Sequence, residues 1–277
     1  MQRLSNVRCF LLDMDGTVNL GNRPLNGASK FFATLSQKGI SHIFLTNNSS
    51  RTAAEYERKL SSMGLPAGPG SVYTSGDATI EYLKRNNIGP KLFVLGTRSL
   101  RKRFEDEGFV MNDTTPSAVI LGFDMELTYD RVRTACRLIS SGVRYIATHP
   151  DLVCPVEEGF IPDAGSIAEM IAAGTNGKRP VIIGKPEPGI ITAALDRIGI
   201  NPEQAAVVGD RLYTDIAAGK RANVLSILVL SGETTLDMLS PDEKNQPQSI
   251  IKSEYPDLVF NDIGELADAL DGEKSNE

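Results

Sequence analysis

The stretch Val7-Arg8-Cys9-Phe10-Leu11-Leu12-Asp13-Met14-Asp15-Gly16-Thr17-Val18 decides how the rest of the chain is read. Val7, Cys9, Phe10, Leu11 and Leu12 form a short apolar run. Such a run fits a strand buried on both faces of a parallel sheet, although periodicity alone also admits a buried helix. It stops at two carboxylates and a glycine. In open α/β sheets, ligands bind just beyond the carboxyl ends of the strands. Two acids held close at such an edge repel each other unless a cation or a shared proton relieves them. The arrangement suits a carboxylate nucleophile, an acid/base partner and a divalent metal. Asp and Gly are also common turn residues, so Asp13-Met14-Asp15-Gly16 on its own also admits a plain polar turn.

Outward from this stretch, 24–38 reads as a helix stopped by Gly39. Residues 40–45 read as a strand ending in Thr46-Asn47-Asn48-Ser49-Ser50. Thr52 and Glu55 make a capping-box pattern before a helix that stops near Gly64. A short strand at 72–74 and a helix at 79–85 complete a β-α-β-α-β-α order, the pattern of a parallel sheet with helices on its faces. A second series follows, with strands at 92–95, 118–121 and 144–148 and helices at 100–107 and 129–140. Ser166 and Glu169 make another capping-box pattern, and 174–178 is a candidate hinge. A buried strand resumes at 180–183, before Gly184-Lys185-Pro186, where the Pro and Glu187 suit a helix start. Strands at 206–208 and 226–230 end in Gly209-Asp210 and Ser231-Gly232. Residues 241–256 read as a polar surface loop, 258–260 as an edge strand before a last short helix, and 271–277 as a fraying end.

The 277 residues fit one large domain or two modest ones, and 41% hydrophobic with 23% charged residues is enough for a sizeable core. The net charge is -6, and no basic cluster is long enough to follow a nucleic-acid backbone. Arg98, Arg101, Lys102 and Arg103 read instead as a solvated helix face. Cys9, Cys136 and Cys154 are odd in number and far apart, so neither a disulfide framework nor a zinc site is signalled. No run approaches the ~20 apolar residues of a membrane span, and the N-terminus lacks a signal-peptide pattern. The expected setting is cytoplasmic, with neither nucleic acid nor membrane as partner. A homo-oligomer is compatible with the sequence, which sets no oligomeric state.

Polar residues follow four separate apolar runs: Asp13 and Asp15, Thr46 and Asn47, Lys185, and Asp210 with Asp215. One polar strand end is ordinary; four meeting at one edge of one sheet make a site. Asp13 and Asp210 supply hard oxygens for a metal. Thr46, Asn47 and Lys185 supply the hydroxyl, N–H groups and cation that a phosphoryl dianion needs.

These motifs, D-M-D-G-T-V, L-T-N-N-S-S, G-K-P-E-P and V-G-D-R-L-Y-T-D-I, resemble the four motifs of the haloacid dehalogenase (HAD) superfamily. The insertion between the second and third motifs, containing A-T-H-P-D, resembles the NagD-like, 4-nitrophenylphosphatase branch. The resemblance implies an α/β fold: a Rossmann-like parallel-sheet core at 1–79 and 180–277, with an α/β cap inserted at 80–179. It implies Mg²⁺-dependent hydrolysis of small phosphate monoesters, such as sugar phosphates or nucleoside monophosphates, through an aspartyl-phosphate. 4-Nitrophenyl phosphate would serve as an artificial substrate. Asp13 would be nucleophile and metal ligand, and Asp15 the acid/base, giving its backbone carbonyl to the metal. Thr46 and the Asn47 N–H would hold phosphate, and Lys185 would neutralise the nucleophile and the phosphoryl oxygens. Asp210 would ligate the metal, with Asp215 behind it or reaching it through water.

The chain departs from the branch pattern in the cap. Relatives carry T-N-P-D where it has Thr148-His149-Pro150-Asp151, and P-G-x-G where it has Pro162-Asp163-Ala164-Gly165. His149 is read as lining the substrate space or satisfying its own loop, and Asp151 as a substrate contact. Cys9 and His42 are read as structural. A different class of reading is a non-catalytic phosphometabolite sensor or a phospho-receiver-like protein. Receivers, however, lack an acid two residues after the acceptor and have no large inserted cap.

Overall fold

The computed structural model describes residues 4–156, 159–239 and 255–272. Strand β1 is Cys9–Leu12; β2 (Asn19–Leu20) and β3 (Arg23–Pro24) form a small antiparallel hairpin. β4 is Ser41–Thr46 and β5 is Val72–Thr74. There follow β6 (Lys91–Leu95), β7 (Val110–Met111), β8 (Ala118–Leu121), β9 (Arg144–Ala147), the antiparallel pair β10 (Val153–Val156) and β11 (Gly159–Pro162), and β12 (Val181–Ile182). β13 (Ala205–Gly209), β14 (Leu225–Val229) and β15 (Leu258–Phe260) close the series.

The chain divides into two compact units, one made of 1–45, 57–73 and 185–277, the other of 46–56 and 74–184. The family resemblance implies boundaries at 79/80 and 179/180. The six-stranded sheet has the order β15-β14-β13-β1-β4-β5, with β1 parallel to both β4 and β13. From β1 the chain steps outward through β4 to β5 and later returns to place β13 on the other side. The strand order therefore reverses between β1 and β13, and a crevice is expected at their carboxyl ends. Every residue of β1, β13 and β14 is buried, as a sheet covered on both faces requires. Phe31 of the helix Ala28–Lys38 packs edge-on against Phe10, their ring centroids 5.4 Å apart.

The second unit holds a five-stranded parallel sheet in the order β12-β9-β8-β6-β7. Its core includes Leu95, Val119, Leu121, Ala135 and Ile171. The strand read at 180–183 is thus β12, which pairs with β9 and belongs to this sheet. An apolar run of this length carries no information about which sheet it will join. The Thr52–Glu55 capping box is present: Thr52 N donates to Glu55 Oε2 at 2.7 Å and Glu55 N to Thr52 Oγ1 at 3.3 Å. The Ser166–Glu169 pattern is not a cap. The helix Ala164–Gly174 starts earlier, capped by Asp163, which accepts a 2.6 Å bond from Ala164 N. Ser166 instead bonds to Leu152 O, and Glu169 pairs with Arg179.

The edge strand read at 258–260 is β15. The surface loop read at 241–256 lies outside the described residues except for its last two, as does the fraying end beyond Gly272. Among the described residues, no helix is long and apolar enough to cross a membrane.

Candidate active site

Asp13 directly follows β1 and Asp210 directly follows β13, so both stand where the strand order reverses. Asp13 N donates to Val208 O at 2.9 Å, which ties the first acid to the neighbouring strand. Lys185 comes in after β12 rather than from a strand of this sheet. Its Nζ nevertheless donates to Asp13 Oδ1 at 2.6 Å, Asp215 Oδ1 at 2.5 Å and Leu45 O at 3.1 Å. Asp13, Asp210 and Asp215 can each bring one oxygen within 4.8 Å of the others.

Each acid has its own support. Asp215 sits in the π-helical turn Leu212–Ile216, and its Oδ2 accepts from Arg211 N at 3.3 Å and Thr214 Oγ1 at 3.2 Å. π turns recur at functional sites. Asp210 is gripped by the segment after β14: Glu233 N donates to its Oδ2 at 2.7 Å, and Thr234 N to its carbonyl at 3.1 Å. The approach is so close that a Cβ on Gly232 would lie 2.0 Å from Asp210 Oδ2, and one on Gly16 2.5 Å from it. Ser231 Oγ bonds to Gly16 O at 2.7 Å and joins this segment to the first motif. One Asp15 carboxylate oxygen, Oδ1, accepts from both Asn19 Nδ2 at 2.7 Å and Gly21 N at 3.2 Å.

The electrostatics follow from crowding three carboxylates against one ammonium. Burial pushes Asp13 up to about 8; the Lys185 charge opposes this, while Asp215 and Asp210 add to it. Burial and the Asp215 charge push Asp210 up to about 6. Burial works against the Lys185 charge, but Asp13 and Asp215 outweigh it and hold the ammonium above its usual range. Asp210 Oδ1 is buried and has no hydrogen-bond partner among the described residues. Excess negative charge and an orphaned carboxylate oxygen fit a small, hard, oxygen-seeking cation.

Thr46 closes β4, the neighbour of β1, and its Oγ1 accepts from Asn48 N at 3.1 Å. Within the second unit Asn47 Nδ2 donates to Asp151 Oδ2 at 2.8 Å, and Ser75 Oγ donates to Asn47 O. His149 is completely buried. Its Nδ1 lies 2.8 Å from Thr148 Oγ1 and its Nε2 2.9 Å from Asp163 Oδ1. Thr148 Oγ1 continues the chain to Ser49 Oγ at 3.1 Å. Both ring nitrogens of His149 are thus engaged by side chains of its own unit. The departure at Asp163 pairs with the departure at His149, each supplying the other's hydrogen-bond partner.

The sequence reading missed Asn19, Gly21, Ser231 and Glu233. Ser231-Gly232 was visible as a polar strand end. Asn19 gave no signal, because its meeting with Asp15 depends on the turn between them.

Residues 10–110 match the family model for haloacid dehalogenase-like hydrolases, and residues 182–266 match a HAD-hydrolase-like model. The acid sugar phosphatase of Staphylococcus saprophyticus is 33% identical over 269 residues, covering 97% of this chain and 100% of that protein. The crystal structure of 4-nitrophenylphosphatase from Thermotoga maritima superposes with a TM-score of 0.88 at 45% identity, covering 96% of this chain and 98% of that one. NagD from E. coli K-12 gives 0.83 at 31% identity, covering 94% and 98%. The chain belongs to the haloacid dehalogenase-like hydrolases, in their NagD-like phosphatase branch.

Proposed function

We propose that this enzyme hydrolyses small phosphate monoesters, with Mg²⁺ as cofactor, through an aspartyl-phosphate on Asp13. The observation that carries the reading is the Lys185 ammonium bonded at once to Asp13 and Asp215, beside an Asp210 oxygen that has no hydrogen-bond partner among the described residues. Phosphoryl transfer depends on in-line positioning and charge neutralisation. An anionic nucleophile must approach an anionic phosphate, and the buried Lys185 offsets that repulsion.

Asp13 attacks phosphorus and the bond to the ester oxygen breaks. Asp15, protonated, gives its proton to the departing alkoxide. Thr46 and the Asn47 N–H hold the phosphoryl oxygens. Asp15, now ionised, takes a proton from the water that cleaves the acyl phosphate. Acid/base assistance of this kind is worth roughly 10²–10⁴ in rate.

The Asp13 and Asp210 carboxylates and the Asp15 backbone carbonyl would hold Mg²⁺, which supplies further neutralisation of the phosphoryl charge. Both Asp215 oxygens are already engaged, by Lys185 on one side and by Arg211 N and Thr214 on the other. Asp215 anchors Lys185 and stands behind the metal ligands or reaches the metal through water.

The names of the relatives, an acid sugar phosphatase and a 4-nitrophenylphosphatase, support phosphomonoesters as the substrate class and sugar phosphates among the candidates. The decisive test is phosphate release from 4-nitrophenyl phosphate and from a panel of sugar phosphates and nucleoside monophosphates, with Mg²⁺ and with EDTA. Mg²⁺-dependent turnover is expected. Binding of phosphorylated metabolites without any release would instead favour the sensor reading.

A further inference from the structure

The small hairpin after the first motif contains a feature that fold stability does not require. Asn19 is 1% exposed, and its amide Nδ2 donates to two acceptors, Asp15 Oδ1 at 2.7 Å and Gly21 O at 3.2 Å. Only the orientation with the NH₂ group toward these oxygens satisfies both, so the amide is fixed by its surroundings. The carbonyl Oδ1 of Asn19 is left buried with no partner among the described residues. A buried amide with half its hydrogen-bonding capacity unmet costs stability, and such costs concentrate at functional positions. The backbone of Asn19 is also pinned, with its N–H on Met14 O at 3.1 Å and its carbonyl accepting from Gly16 N at 2.8 Å.

We propose that Asn19 is the positioning residue for the acid/base Asp15. Asn19 Nδ2 and Gly21 N occupy Asp15 Oδ1 together. An oxygen that accepts two N–H bonds has no lone pair left for a proton, so the transferable proton resides on Oδ2. Asn19 thereby fixes both the rotamer of Asp15 and which oxygen acts. In the leaving-group step the Asp13 oxygen forms its bond to phosphorus and the phosphorus–oxygen ester bond breaks. That electron pair passes to the leaving oxygen, which takes the proton from Asp15 Oδ2. The Asn19 N–H stays in place throughout and holds Oδ1.

The inference rests on the assignment of Asp15 as general acid. The test therefore measures kcat/KM, which reports the leaving-group step, for an alkyl phosphate and for 4-nitrophenyl phosphate. It compares the wild-type enzyme with Asp15→Asn, Asn19→Leu and Asn19→Ala. 4-Nitrophenolate leaves with little proton help, whereas an alkoxide needs it. The ratio of the two kcat/KM values cancels the active fraction, so a partly misfolded preparation still gives an answer. Asn19→Leu and Asn19→Ala should each depress the alkyl-to-aryl ratio about tenfold or more, because a small misplacement of a reacting group is costly in rate. Asp15→Asn should depress it further, within the roughly 10²–10⁴ range of acid assistance. If Asp15→Asn depresses the ratio and both Asn19 variants leave it at the wild-type value, the positioning role is overturned while the acid survives. If Asp15→Asn itself leaves the ratio unchanged, the acid assignment fails and the role of Asn19 falls with it.

Discussion

The Asp215 carboxylate holds the Lys185 ammonium at 2.5 Å, with 3% of the lysine side chain and 1% of the aspartate side chain exposed. An ion pair this deeply buried is weak evidence of net stabilisation, but removing one partner strands a charge out of water. Lys185→Met should therefore lower unfolding free energy by about 3–5 kcal/mol in metal-free protein, as well as removing turnover. Urea denaturation in EDTA measures the first and phosphate release the second. A variant as stable as wild type would show that the pair is not desolvated as described.

Asp13→Asn should behave in the opposite way on stability. The carboxamide is neutral and nearly isosteric with the protonated acid, and Lys185 keeps Asp215 as its counter-ion. The melting temperature of the metal-free variant should match or exceed that of wild type. Turnover should fall by at least about 10³-fold, since a carboxamide forms no acyl phosphate at a useful rate. Wild-type-like phosphate release from a preparation shown free of deamidation would remove Asp13 as nucleophile.

The pH dependence of the protein without metal has a definite sign. Asp13 is raised to about 8 and Asp210 to about 6, so the folded metal-free protein keeps protons that the unfolded chain has already released. The stability these groups contribute is fully present below the ordinary carboxylate range. It is lost as pH rises through about 6 and then about 8. Mg²⁺ competes with those protons, so its stabilising effect should grow over the same interval. The check is the difference in melting temperature between Mg²⁺ and EDTA across roughly pH 5 to 9. Asp210→Asn should shrink that difference and raise the Mg²⁺ needed for half-maximal activity. A difference that is flat or falls with pH counts against a metal held by Asp13 and Asp210.

His149 and Asp151 should separate cleanly. His149 is buried between Thr148 and Asp163, so His149→Ala should cost about 2–3 kcal/mol of stability and leave the ranking of a substrate panel unchanged. Asp151 bonds to the Asn47 amide, next to the N–H assigned to the phosphoryl group that all substrates share. Asp151→Ala should therefore lower kcat/KM by a similar factor for every phosphate ester. A reordered panel with the Asp151 variant would return that residue to direct substrate selection.

The chemistry of the site was legible wherever a short apolar run met a polar residue. Leu11-Leu12-Asp13 and Val207-Val208-Gly209-Asp210 announce themselves because hydrophobic burial and a sharp change to carboxylate are local properties of the chain. The capping pair Thr52 and Glu55 was legible for the same reason, as its partners lie three residues apart. What the sequence by itself determined was a parallel α/β protein with acids, a threonine and a lysine at strand ends, and a match to four motifs in order. Only the tertiary structure decided that 181–182 joins β9, that Asp163 rather than Ser166 caps its helix, and that His149 turns inward. It also decided that Asn19 folds back onto Asp15, that Glu233 N reaches Asp210, and that Lys185 reaches Asp13 and Asp215 from beyond the other sheet's last strand. The physical reason is that strand pairing, desolvation and hydrogen-bond partners are set by groups distant in sequence. A residue's own type and immediate neighbours specify what it can bond to, and packing specifies which of those bonds is made.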